Sequence, residues 1–207
     1  MTNPLPVPPL LIITDLPPSP RTIENIVQEA LSSGCRWIMY REKNTSAESF
    51  RRTAKNLAKF CEAYEAVLCI NGDVDVAQEC SAGGVHLQSA VGVEVARMNL
   101  SPQALIGVSC HSVLDAQRAE LAGADYVTLS PIFETASKPG YGPALGLNGM
   151  EDAVRDVSIP LIALAGISSA NAAHCMQHGA QGVAVMGGVM QSHNPGTAVE
   201  ELIAALS

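Results

Sequence analysis

The chain has 207 residues, of which 47% are hydrophobic and only 15% charged, and its formal net charge is −8. That length suits one substantial core, so a single domain over residues 1–207 is expected, with a proline-rich extension over 1–9. The negative balance argues against nucleic acid or an anionic membrane as partner, and confines any working cations to a local site.

The start, Met1 to Pro9, has no basic segment leading into an apolar one, so it does not read as a signal peptide. Short apolar runs then alternate with amphipathic stretches. Leu10–Thr14 and Cys35–Tyr40 read as strands, followed by a helical pattern over Ser46–Tyr64. Ala66–Ile70, Gly84–Leu87 and Leu105–Ser109 read as strands, then Val113–Ala122 as a helix. Tyr126–Ser130 and Leu161–Ala165 are strands, Ser168–His178 a helix, Gly182–Met186 a strand and Thr197–Leu206 a helix. Ser46 opens only half a capping box, whereas Ser168 and Ser169 before an alanine-rich segment give a better N-cap signal. Gly34-Cys35, Gly83-Gly84, Gly123-Ala124 and Gly179-Ala180 each stand before an apolar run, where glycine ends a helix in a left-handed conformation.

Eight strand–helix units leave about 25 residues each, near the lower limit for a (β/α)8 barrel. The alternative is an open doubly wound sheet, which usually needs fewer strands. The expected class is α/β, a single (β/α)8 TIM barrel. Six cysteines show no C-x-x-C pair, and several sit in apolar runs as small hydrophobes, so a reduced cytoplasmic protein is the simplest account. The apolar runs are too short to span a bilayer, so no membrane partner is expected.

In a barrel, the carboxyl ends of the strands share one mouth. The groups delivered there are Thr14-Asp15, Arg41-Glu42-Lys43, Asn71, His86, Ser109-Cys110-His111, the loop Ser130–Lys138, Gly166 and Met186-Gly187-Gly188. Arginine offers a planar fork and lysine a point charge, a set that suits a phosphate or diphosphate. Glycines after two consecutive strands let bare backbone N–H groups approach an anion. His86 and His111 are candidates for acid–base work, whereas His174, His178 and His193 fall on a helix or in late loops. Cys110 beside His111 is discounted as a nucleophile pair, because neighbours on a strand point to opposite faces.

Taken in order, these motifs resemble the thiamine phosphate synthase and thiazole tautomerase family. The matching segments are Leu11-Ile12-Ile13-Thr14-Asp15, Arg41-Glu42-Lys43, Ile70-Asn71, Gly84-Val85-His86-Leu87, Ile106-Gly107-Val108-Ser109, Pro131-Ile132-Phe133 with Thr135 and Lys138, Ala165-Gly166-Ile167 and Gly182-Val183-Ala184-Val185. The resemblance implies a (β/α)8 barrel and assigns roles by position. Arg41, Lys43, Asn71, Ser109 and Lys138 match positions that hold the diphosphate of a pyrimidine substrate. Thr135 and Ser137 match hydroxyls close to the substrates, and Gly166, Met186 and Gly187 match the cradle for a thiazole phosphate. Lys138 joins His86 and His111 as a catalytic candidate.

The chain departs from the synthase pattern at defined places. Asn71-Gly72 stands where Asn-Asp is usual, Gln88-Ser89-Ala90-Val91 lacks an acidic residue, and Met39 replaces a glutamine. Asp73 and Asp75 are out of register as substitute carboxylates. Glu134 fits the tautomerase branch, while Pro131 stands where that branch has its proposed catalytic histidine. The leading expectation is therefore a metal-independent, tautomerase-like thiamine-pathway enzyme that binds a thiazole phosphate. One alternative is a synthase that joins hydroxymethylpyrimidine diphosphate to thiazole phosphate with Mg²⁺; another is a non-catalytic binder of a phosphorylated precursor. No protein metal ligand is predicted, no cofactor is expected unless Mg²⁺ serves a synthase, the partner is a small phosphorylated molecule, and a homodimer is compatible with the sequence.

Overall fold

The computed structural model describes residues 2–18, 20–135 and 143–206. Its strands are β1 (Leu10–Ile13), β2 (Trp37–Tyr40), β3 (Val67–Asn71), β4 (Gly84–Leu87), β5 (Leu105–Cys110), β6 (Tyr126–Leu129), β7 (Leu161–Leu164) and β8 (Gly182–Val185). Each pairs in parallel with its sequence neighbour, and β8 closes on β1, so that Leu11 stands opposite both Trp37 and Ala184. The closing ladder makes the fold a (β/α)8 barrel and excludes the open sheet. Observed strand limits agree with the sequence reading to within two residues at each end.

The helices are α1 (Ile23–Ser32), α2 (Ala47–Ala63), α3 (Val74–Glu79), α4 (Val93–Asn99), α5 (Val113–Leu121), α6 (Gly146–Asp156), α7 (Ala172–Gln177), α8 (Gly187–Met190) and α9 (Pro195–Ala205). In α1, Thr22 and Asn25 cap each other reciprocally, and Ile23, Ile26, Val27, Ala30 and Leu31 form one buried stripe at helical spacing. Helix α2 does begin after Ser46, whose hydroxyl accepts the Ser49 N–H at 3.2 Å. The cap expected at Ser168 needs correction, because α7 starts only at Ala172. Ahead of it, Asn171 Oδ1 accepts the Ser168 N–H at 2.8 Å and Asn171 Nδ2 donates to the Gly166 carbonyl at 2.9 Å. Residues 168–171 are thus a turn tied back to the β7 loop. Gly34, Gly123 and Gly179 are left-handed as expected, but ahead of β4 it is Ser81, at φ 52°, that makes the turn.

Side chains alternate along a strand, so each strand feeds two cores. Leu10, Ile12, Ile38, Ile70, Val127 and Val183 point outward under the helices. Leu11, Ile13, Trp37, Met39, Cys69, Leu105, Tyr126, Ile162 and Ala184 fill the barrel. Trp37 and Tyr126 meet edge to face, with centroids 4.7 Å apart and planes at 72°, a geometry worth about 1 kcal/mol beyond area burial. Tyr126 fits only because residue 107 is glycine; a methyl there would lie 2.1 Å from Tyr126 Cζ.

The end of the barrel where strands begin is closed by the start of the chain. Leu5 packs on the interior cluster. The Asn3 N–H donates to Asp125 Oδ1 at 2.9 Å, and Asn3 Nδ2 donates to the carbonyls of Pro102 and Ala104 at 3.0 and 3.1 Å. Asp125 is buried and also accepts from Arg97 and from the Ile106 N–H, both at 2.8 Å. Among the described residues, no helix is long and apolar enough to cross a membrane.

Candidate active site

The same alternation that fills the barrel carries polar groups to its carboxyl-end mouth. Two residues beyond interior Met39 comes Arg41; beyond Cys69, Asn71; beyond Gly107, Ser109; beyond Ala184, Met186. Asn71 stands opposite His86 in the β3–β4 ladder, and Ser109 opposite Thr128 in the β5–β6 ladder.

Arg41 is held at both backbone and side chain. The buried Thr14 hydroxyl accepts the Arg41 N–H and donates to the Arg41 carbonyl, each at 2.8 Å, which pins the end of β2 to β1. The guanidinium, with 18% of the side chain exposed, lies 3.6 Å from Asp15 Oδ1 and 3.9 Å from Met186 Sδ. A guanidinium carries more N–H donors than one carboxylate can take, so Arg41 retains donors for an anion. Glu42 points the other way: Tyr40, stacked on Phe50 outside the barrel, donates its hydroxyl to Glu42 Oε2 at 2.7 Å. Lys43 follows, exposed, on the loop after β2.

The loops after β7 and β8 have bare backbone at the mouth. Ala165 and Gly166 are both left-handed, at φ 77° and 68°. The N–H groups of Ile132 and Phe133 donate to the carbonyls of Leu164 and Ala165 at 3.0 and 3.1 Å, lacing the β6 loop to this turn. A methyl on Gly166 would sit 2.6 Å from both the Glu134 carbonyl oxygen and Phe133 Cβ, so only glycine fits. After β8, the Met186 carbonyl accepts from Val189 and Met190, and the N–H groups of Gly187 and Gly188 fall in the first turn of α8, outside its own bonds. Arg41 beside Met186 joins the cation to this turn.

The two histidines proposed as acid–base groups occupy different places. His86 lies in the barrel interior, 2% exposed. Its Nδ1 is 3.0 Å from the Tyr126 hydroxyl; its Nε2 is 3.0 Å from Ser109 Oγ and 3.3 Å from Thr128 Oγ1. Burial pulls its pKa down to about 3, so the ring is neutral near pH 7. Both ring nitrogens face protein groups, so the ring is enclosed below the mouth. His111 sits at the mouth, with Nδ1 2.8 Å from the Ser130 carbonyl. A carbonyl only accepts, so Nδ1 is the donor in this bond. Cys110 turns outward into the helix-facing core, and burial pushes its thiol up to about 12, far from a thiolate nucleophile.

Of the expected site residues, the structure brings Arg41 against the Met186 side chain, next to Gly187 in the chain, and sets Gly166 against the β6 loop. Ser109 joins His86, and His111 joins the end of β6. Thr135 is half-buried at the edge of the described residues. Ser137 and Lys138 lie outside them. Sequence reasoning missed Tyr126, read only as part of an apolar run, and Asn171, whose spacing three residues after Ser168 signals a side-chain-tied turn.

The family described as thiamine monophosphate synthase matches residues 10–189. A thiamine-phosphate synthase of Chloroflexus aurantiacus is 36% identical over 200 residues, covering 96% of this chain and 92% of that protein. Another, of Roseiflexus sp. strain RS-1, is 36% identical over 188 residues, covering 90% and 80%. The solved thiamine phosphate pyrophosphorylase of Pyrococcus furiosus superimposes with a TM-score of 0.84 at 32% identity, over 95% of this chain and 94% of that one. A match that runs from β1 into α8, with relatives similar over nearly their whole length, shows that this chain belongs to the thiamine monophosphate synthase family.

Proposed function

We propose that the chain catalyses the thiamine phosphate synthase reaction, in which a thiazole phosphate displaces diphosphate from a pyrimidinylmethyl carbon. The C–O bond to the diphosphate breaks and its electron pair leaves with the oxygen, while the thiazole nitrogen lone pair forms the new C–N bond. This step asks for charge neutralisation and alignment rather than proton transfer. The observation that carries the reading is Arg41, fixed by Thr14 and Asp15 and touching the Met186-Gly187 turn. Its fork suits the leaving diphosphate, and the N–H groups of the two glycine turns suit the phosphate of the thiazole. Asn71, Ser109 and Thr135 add an amide and hydroxyls, and Lys43, Ser137 and Lys138 keep the roles their positions suggest. The relatives named as synthases support this reading over the metal-independent tautomerase.

Mg²⁺ supplies charge neutralisation where it accompanies a diphosphate, and it asks for oxygen ligands, carboxylates foremost. The described residues do not fit a protein-held Mg²⁺. Asp73 caps α3 by accepting the Val76 N–H at 2.9 Å, the β3 and β4 loops carry Gly72 and Gln88 instead, and Asp15 is engaged by Arg41. Among the described residues, no group of three or more His, Cys, Asp or Glu is placed to hold a metal. The roles proposed here accordingly belong to side chains and backbone alone.

A tautomerase reading is favoured by one observation, the placing of His111 at the mouth with its Nδ1 held by the Ser130 carbonyl. The test gives purified protein a pyrimidine diphosphate with thiazole phosphate and, separately, the non-aromatic thiazole tautomer. Expected is thiamine phosphate from the first mixture, reduced about a hundredfold in Arg41→Ala. Conversion of the tautomer alone, intact in excess chelator, would transfer the assignment to the tautomerase. Tight calorimetric binding without turnover of either would leave a phosphate binder.

A further inference from the structure

A polar column runs up the inside of the barrel and emerges at one proposed substrate contact. Trp37 Nε1 donates to Cys69 Sγ at 3.4 Å, Cys69 Sγ lies 3.9 Å from the Tyr126 hydroxyl, and Tyr126 is 3.0 Å from His86 Nδ1. His86 Nε2 then meets Ser109 Oγ at 3.0 Å and Thr128 Oγ1 at 3.3 Å. Trp37, Cys69, Tyr126, His86 and Thr128 are buried, and only Ser109, at the carboxyl-end mouth, is partly exposed.

A neutral imidazole has one N–H, so only one of its two nitrogens donates. The Tyr126 hydroxyl hydrogen has two destinations, a sulfur at 3.9 Å or an imidazole nitrogen at 3.0 Å. Sulfur is the weaker acceptor and the longer contact, so the hydrogen goes to His86 Nδ1. Nε2 must then carry the ring proton and donate toward Ser109 and Thr128. A hydroxyl that accepts this bond keeps its own hydrogen for another partner. At Ser109, that hydrogen is directed to whatever occupies the mouth.

We infer that His86 is a positioning residue: through the Tyr126-fixed tautomer it holds the Ser109 hydroxyl as a hydrogen-bond donor aimed at an oxyanion of the ligand. This rests on the phosphate-binding reading of the mouth. It gives the one buried histidine a role distinct from proton transfer, and it makes Tyr126, which touches no ligand, a determinant of anion affinity.

Two measurements test it, one independent of function. In protein labelled with ¹⁵N-histidine at pH 7, the His86 ring, assigned by its loss in His86→Gln, is expected to be protonated at Nε2 and bare at Nδ1; the reverse tautomer overturns the inference. The second measures inorganic pyrophosphate binding by calorimetry for wild type, Tyr126→Phe, Ser109→Ala and the double variant. Tyr126→Phe keeps the ring that fills the barrel and should fold. Each single change is expected to weaken binding by about tenfold, and the double variant no further than Ser109→Ala alone. A Tyr126→Phe loss that persists in full on the Ser109→Ala background refutes the coupling. If wild type binds neither pyrophosphate nor thiazole phosphate, the mouth assignment fails, and the tautomer measurement still decides the role of His86.

Discussion

Replacing Gly166 by alanine separates a built anion cradle from an ordinary turn. Two costs are readable in the structure. The residue is left-handed at φ 68°, which costs a non-glycine residue about 1 kcal/mol. The new methyl would also lie 2.6 Å from the Glu134 carbonyl oxygen and from Phe133 Cβ, where ordinary contact begins at 3.4 Å. Both atoms belong to a loop held to β7 through Ile132 and Phe133, so the crowding has no cheap escape. Overpacking of this kind adds about 1–3 kcal/mol, for a total of about 2–4 kcal/mol. Gly123 provides the control, since it is left-handed at φ 87° with nothing within 4 Å of an added methyl. Gly123→Ala should therefore show the conformational cost alone, about 1 kcal/mol. Urea unfolding gives both stabilities, and calorimetry with thiazole phosphate gives affinity, expected to fall by at least about tenfold in Gly166→Ala. If Gly166→Ala is no less stable than Gly123→Ala and binds as wild type does, the turn is not a cradle and the reasoning fails.

Arg41→Lys keeps the charge but loses the fork, and pyrophosphate affinity measured by calorimetry should drop by about tenfold; undiminished affinity would remove Arg41 from the diphosphate site. Stability should also depend on pH through His86. Its folded pKa is depressed by burial from 6.5 to about 3, so the unfolded chain binds more protons between those values and stability rises with pH there. The contribution is complete above pH 6.5 and is lost as pH falls toward 3, at about 1.4 kcal/mol per unit. Urea midpoints from pH 7 to 4 should fall less steeply in His86→Gln than in wild type, and parallel curves would refute the assignment.

The barrel was legible in the sequence because parallel strands covered on both faces are continuous apolar runs, and residues such as Leu10–Ile13 or Gly182–Val185 can be little else. The mouth was legible from the strand pleat: Arg41, Asn71 and Ser109 fall two residues beyond interior positions, at or next to the carboxyl ends of their strands. What could not be read is what depends on side chains from distant strands. Tyr126 counts as one more apolar residue until Gly107, nineteen positions earlier, is seen to make room for its ring beneath His86. His86 and His111 look alike in sequence, since each ends a strand. One is directed into the barrel by the pleat and stripped of water, and the other is turned toward a carbonyl at the rim. The start of α7 was misplaced because serine signals a cap in isolation, whereas here residues 168–171 form a turn in which Asn171 ties the Ser168 N–H and the Gly166 carbonyl together.

Residues 3–5 act as a stopper. With Asn3 fastened to Asp125 and Leu5 packed on the interior cluster, the buried column from Trp37 is covered at the end where the strands begin, and Ser109 is its partly exposed member. Whatever settles over Ser109 therefore completes the burial of a column whose other members are already buried.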